Sequence, residues 1–178
     1  MPRMKNPRSV SAGKKAAETR RKNEAAKHRE YVRRFKEAGR SGKWAVTMAK
    51  VRIRQTVGKA PWPRWHLLTF TGPEGGEARG VVDMMAIRKD HGKPFPGTKR
   101  GDTFQIILIQ VKGGSAARPT DDDRDRLRKV AQRHDACGIL LATWKKGKSA
   151  NFFFLAPKAT SAKKDDWQEV SDLADVFA

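Results

Sequence analysis

Apolar positions are spread unevenly along the chain, and their pattern predicts its elements. Residues 103–112 (TFQIILIQVK) form the most apolar run, and Gly113-Gly114 ends it. Continuous apolar character over that length predicts a central strand covered on both faces. Shorter runs at 65–70 and 79–88 predict two strands before it, separated by a turn at 71–76. Gly92, Pro94, Pro96 and Gly97 make 89–101 a loop or hairpin tip. Runs at 138–144 and 151–155 predict a final strand pair around the basic turn Lys145-Lys146-Gly147-Lys148.

Helical signals surround these runs. Thr120 is a good N-cap, and Asp121, Asp122 and Asp123 place negative charge on the first turn that follows. Leu127, Val130 and Ala131 then form the stripe to be buried. Residues 14–38 are rich in Ala, Lys, Arg and Glu without Gly or Pro, and predict a helix that ends at Gly39. Pro2, Pro7, Ser9, Ser11 and Gly13 predict disorder over 1–13. Trp44, Val46, Met48 and Val51 fit neither the helical nor the strand period, and Ala60-Pro61-Trp62-Pro63 breaks any helix. Trp167, Val170, Leu173 and Phe177 predict a short amphipathic helix. The expected order is helix, three strands, helix, two strands, helix, with no internal repeat.

Charge adds a second division. The chain has 178 residues and a formal net charge of +20. Residues 1–60 hold 19 Lys and Arg against 4 acidic residues, whereas 61–178 hold 20 against 15. We therefore expect a basic arm over 1–43 and one α/β domain over 44–178. So dense a positive charge repels itself unless a polyanion is present, and nucleic acid is the commonest one. Tyr31, Val32 and Phe35 have helical spacing but are too few for a membrane-surface helix. No run reaches the ~20 apolar residues of a bilayer span, and the basic N-terminus lacks the apolar core of a secretory signal. A cytoplasmic protein associated with nucleic acid is expected. The lone cysteine, Cys137, excludes an intrachain disulfide and a cysteine-cluster zinc site. Its neighbours Gly138, Ile139 and Leu140 suggest a small buried hydrophobe.

The candidate chemistry lies in the strands. Asp83 interrupts the apolar stretch Val81-Val82-Asp83-Met84-Met85 and requires a cation or a ligand if it is buried. Gln110 and Lys112 end the central strand two residues apart, so period-2 alternation puts both on one face. An antiparallel hairpin centred on Pro96-Gly97 would set Asp83 opposite Gln110. A plain cross-strand ion pair between Asp83 and Lys112 is the alternative. His28, His66, His91 and His134 are scattered, and no phosphate-binding Gly-rich loop or Gly-x-Ser-x-Gly elbow occurs.

Gly80-Val81-Val82-Asp83, a hairpin, then Gln110-Val111-Lys112 followed by a helix and a strand resembles the PD-(D/E)xK nuclease superfamily. The likeness is to its branch of Holliday-junction-resolvase-like and restriction-endonuclease-like proteins, and covers residues 30–156. It implies a restriction-endonuclease-like mixed central sheet flanked by helices. It also implies a Mg²⁺- or Mn²⁺-dependent deoxyribonuclease acting on branched or otherwise structured DNA. Asp83 would then be a metal ligand and Lys112 the lysine that orients or activates water. Gln110 stands where the family has its second carboxylate, which removes one negative charge and weakens the hold on Mg²⁺. A nucleic-acid-binding module of the same fold with weakened catalysis is the alternative.

Glu74, Glu77 and Glu37 are further acidic candidates for the metal shell, and Glu30 is also available on the first helix. Arg52, Arg54, Lys59, Arg64, Arg118, Lys145, Lys146 and Lys148 are candidates for nucleic-acid contact. Trp44, Trp62 and Trp65 lie among the first of these as stacking platforms or core. DNA is the expected partner, with RNA as the alternative, and a homodimer is a further expectation.

Overall fold

The computed structural model describes residues 7–70, 80–92, 94–114, 119–156 and 167–178. The chain divides into two compact units, Met1–Arg40 and Ser41–Ala178. Helix α1 (Pro7–Val57) supplies the helical residues of the first unit and the opening helix of the second. Helix therefore begins within the stretch expected to be disordered, because proline suits the first turn of a helix, where its missing N–H has no partner to lose. Neither Gly39 nor Gly42 ends the helix. A glycine costs only about 1 kcal/mol in a helix interior, and the residues that follow have a face to bury. Ala45, Ala49, Ile53 and Val57 recur every four residues and are all buried, whereas Trp44 and Val51 are exposed. The stripe escapes a search for large apolar residues because half of it is alanine.

In the first unit α1 is a solvated helix laced by local ion pairs. Lys22 and Glu18 stand 2.8 Å apart, and Glu30 binds both Arg33 and Arg34. Hydrogen bonds from these two guanidinium groups hold the Glu30 carboxyl at a pKa of about 2, and Glu30 in turn raises that of Arg33.

In the second unit six strands form one sheet in the order of the chain. They are β1 (His66–Thr69), β2 (Met84–Lys89), β3 (Phe104–Gly113), β4 (Gly138–Trp144), β5 (Asn151–Leu155) and β6 (Gln168–Glu169). β3 and β4 are parallel and every other pair is antiparallel. Helix α2 (Asp121–Arg133) makes the crossover between the parallel strands. Its N-cap is Thr120, whose hydroxyl accepts from the Asp123 amide. The fold is thus a mixed α/β sheet with helices, and the expected strand at 103–112 is its central β3. Residues 167–177 differ from expectation. Gln168 and Glu169 add strand β6 to β5, and only the single turn α3 (Leu173–Val176) is helical.

Alternation along the strands builds a core on each face. Ile107 and Ile109 of β3 and Leu140 and Ala142 of β4 join Ala49, Ile53 and Val57 of α1. Leu108, Ile139 and Leu141 join Leu127 and Ala131 of α2 on the other face. Phe177 closes the first core, and its carbonyl accepts from the buried Trp65 indole N–H at 3.0 Å. Gly113 lets α1 approach β3, since a Cβ there would lie 2.5 Å from Ala45 Cβ. Among the described residues no helix is long and apolar enough to cross a membrane.

Candidate functional site

The site is built where β2 begins and β3 ends. The β2–β3 ladder ends with Met84 paired to Ile109, and Asp83 and Gln110 are the next residues of the two chains. At Asp83 the strand geometry kinks. Its carbonyl accepts from Phe70 on the β1 side, while its N–H donates to Ile109 on the β3 side. In a regular strand both groups of one residue point the same way, so this is a local break of the kind that re-aims a side chain at the end of a ladder. The Asp83 carboxylate reaches β3 as well, where Oδ2 accepts from the backbone amide of Val111. The carboxylate is therefore fixed on the residue between Gln110 and Lys112.

Alternation turns Gln110 and Lys112 to the α2 face, the face of Leu108. Gln110 is 4% exposed. Its Oε1 is buried and has no hydrogen-bond partner among the described residues. Leaving a buried amide oxygen unsatisfied costs about 1–3 kcal/mol, so such a group calls for a donor or a cation. Lys112 Nζ lies 3.3 Å from Oδ2 of Asp123 on the first turn of α2, and both side chains are about a quarter exposed. The position of Asp123 on a helix first turn explains its charge but not this contact. Sequence reasoning missed Asp123 as a neighbour of the lysine. The available signal was the short β3–α2 connection, which returns a helix N-terminus to the end of the strand.

The surrounding elements extend the site. β4 runs parallel beside β3, with Thr143 paired to Lys112 and Trp144 to Gly113. The turn of Lys145, Lys146 and Lys148, all exposed, therefore starts at the same end of the sheet as Lys112. The other basic candidates lie elsewhere. Arg52 and Lys59 line a cleft with Asp172 and Asp175. Arg54 is exposed on α1. Arg64 lines a cavity beside Trp62. Trp65 is core, as its burial requires, while Trp62 and Trp44 are exposed. Glu37 is an exposed residue of the first unit. Glu74, Glu77 and Arg118 lie outside the described residues.

Cys137 departs from expectation. The residue is exposed and stands in the turn between α2 and β4, where Ala136 and Gly138 on either side are the buried ones. Its Sγ donates to the Ile106 carbonyl at 3.2 Å. The sulfur itself is partly shielded, and this desolvation raises the thiol pKa.

No cluster of three or more His, Cys, Asp or Glu able to hold a metal occurs among the described residues. A divalent cation still has donors here. The Asp83 carboxylate and the unsatisfied Gln110 Oε1 are hard oxygen ligands of the kind Mg²⁺ and Mn²⁺ prefer. No family model, curated protein or solved structure matches the chain.

Proposed function

We propose that the protein is a metal-dependent endonuclease that hydrolyses phosphodiester bonds in DNA, with branched or structured DNA as its substrate. One observation carries the proposal. A carboxylate, Asp83, is tied to the residue between Gln110 and Lys112, and the buried oxygen of Gln110 has no hydrogen-bond partner among the described residues. An order of strands, crossover helix and strand like that of restriction-endonuclease-like nucleases supports it further.

In this reading Asp83 and Gln110 would hold the divalent cation, which polarises the phosphate and supplies Lewis-acid chemistry. Lys112 holds the attacking water or neutralises the charge that grows on the phosphoryl oxygens. The water oxygen bonds to phosphorus and gives up a proton to solvent, the bond to the leaving oxygen breaks, and that oxygen takes up a proton from solvent. Asp123 positions the lysine ammonium through its 3.3 Å contact. Lys145, Lys146 and Lys148 lie at the same end of the sheet and offer phosphate contacts that guide the DNA backbone.

A second reading, a nucleic-acid-binding module with weakened catalysis, is favoured by two features. Gln110 is neutral, and Lys112 is engaged by Asp123. Incubation of the whole protein with duplex and four-way-junction DNA in Mg²⁺ or Mn²⁺ decides between them. The nuclease cuts, stops in EDTA, and is inactivated by Asp83→Asn and by Lys112→Ala. Intact DNA at every metal concentration, with binding retained, leaves the binding module.

A further inference from the structure

The strand ends opposite the candidate site carry a second feature. From Phe104 to Gln110 the chain advances six residues, or ~20 Å along β3. At the Phe104 end lies a cavity of about 420 Å³. Its walls include Trp62, Phe104, Arg64, His66, Lys89 and His91, and among the described residues no acidic side chain lines it. That size falls in the range of small-ligand sites, about 300–1,000 Å³.

Two of its aromatic residues are exposed in a way core packing does not explain. Trp62 is 72% exposed and Phe104 is 54% exposed. Trp62 is nevertheless held, since its ring and that of His91 form a T-shaped pair with centroids 4.3 Å apart. The floor is firm as well. The Arg88 guanidinium lies 4.5 Å from the centre of the buried Trp65 ring, and its Nε donates to Gln105 at 2.7 Å. Aromatic faces beside cationic side chains suit a ligand that is flat and aromatic at one end and anionic at the other.

We propose that this cavity takes an unpaired base of single-stranded nucleic acid, stacked on Trp62 or Phe104, with the adjoining phosphate on Arg64 and Lys89. A base in a duplex presents only its edge, whereas an unpaired base offers the face that these rings require. The proposal concerns binding and stands whether or not the protein cuts DNA.

Two strands of about ten units separate this site from the basic arm, a thymidylate strand and an abasic strand with the same phosphates. The arm contributes equally to both, so the difference in Kd reports the bases. The whole protein binds the thymidylate strand more tightly. Whichever of Trp62→Ala and Phe104→Ala removes the stacking ring shrinks that preference by about 5-fold or more, the effect of one lost stack. Arg64→Gln weakens both strands alike. A matched ribouridylate strand tells RNA from DNA as the natural source. Equal wild-type affinity for the thymidylate and abasic strands overturns the proposal without any variant. So does an undiminished base preference in both folded Trp62→Ala and folded Phe104→Ala.

Discussion

The Asp83 carboxylate takes the Val111 backbone amide just past Met84 and Ile109, the last paired residues of the β2–β3 ladder. One side chain thus finishes a sheet ladder and presents a negative charge at the end of β3. The two tasks separate by substitution. Asp83→Asn keeps an acceptor oxygen and should cost about 1 kcal/mol, the difference between a charged and a neutral hydrogen bond. Asp83→Ala strands the Val111 N–H and should cost about 1–3 kcal/mol. Urea melts check the stabilities. Cleavage, in the nuclease reading, is lost in both variants.

Gln110→Glu restores the missing carboxylate at a position that is 4% exposed. A buried unpaired charge is costly, so the variant should be several kcal/mol less stable without metal. Mg²⁺ or Mn²⁺ should return that stability, since a ligand that binds only the folded state raises its melting temperature. Thermal melts against metal concentration check this. A cation that stabilises wild type and variant equally would remove Gln110 from the metal shell.

Lys112 and Asp123 stand 3.3 Å apart and are both partly exposed. A double-mutant cycle with Lys112→Met and Asp123→Asn should return a coupling of about 1 kcal/mol or less, as for other solvent-accessible ion pairs. The larger effect is expected on activity. If Asp123 positions the ammonium, Asp123→Asn lowers kcat and leaves DNA affinity unchanged, and Asp123→Glu restores part of it. A change confined to affinity would assign Asp123 to DNA binding.

Gly113 sits where α1 crosses the end of β3. A Cβ there would lie 2.5 Å from Ala45 Cβ and 2.9 Å from the Ser41 carbonyl oxygen. Backbone cannot yield as a flexible side chain does, so Gly113→Ala should destabilise by about 1–3 kcal/mol. Gly113→Ala with Ala45→Gly removes one of the two clashes and should recover part of the loss. Urea midpoints of the three proteins check it.

Residues 1–40 hold fourteen Lys and Arg against four Glu, and the second unit begins at Ser41. Deleting them should leave that unit folded and weaken nucleic-acid binding by a similar factor for all sequences. The slope of affinity against salt should flatten as fewer counterions are released. Deleting through Val57 should unfold the domain, because Ala45, Ala49, Ile53 and Val57 are part of its buried side. Circular dichroism and binding at several salt concentrations test both deletions.

The local features were legible because local physics sets them. Continuous apolar runs marked β3, β4 and β5, Thr120 with its three aspartates marked the start of α2, and the Pro96-Gly97 centre implied the β2–β3 register found here. Other features depend on distant partners. Residues 41–57 are helical because small alanines find a sheet to cover, a gain that no window of sequence contains. Gln168 and Glu169 form a strand because β5 offers an open edge. The Asp83–Val111 bond, the unsatisfied Gln110 oxygen, the Lys112–Asp123 contact and the cavity beside Trp62 all join residues remote in the chain. Residue types and spacing named the groups able to do chemistry, but only the packing of helices on the sheet decided which groups meet and which of them water no longer reaches.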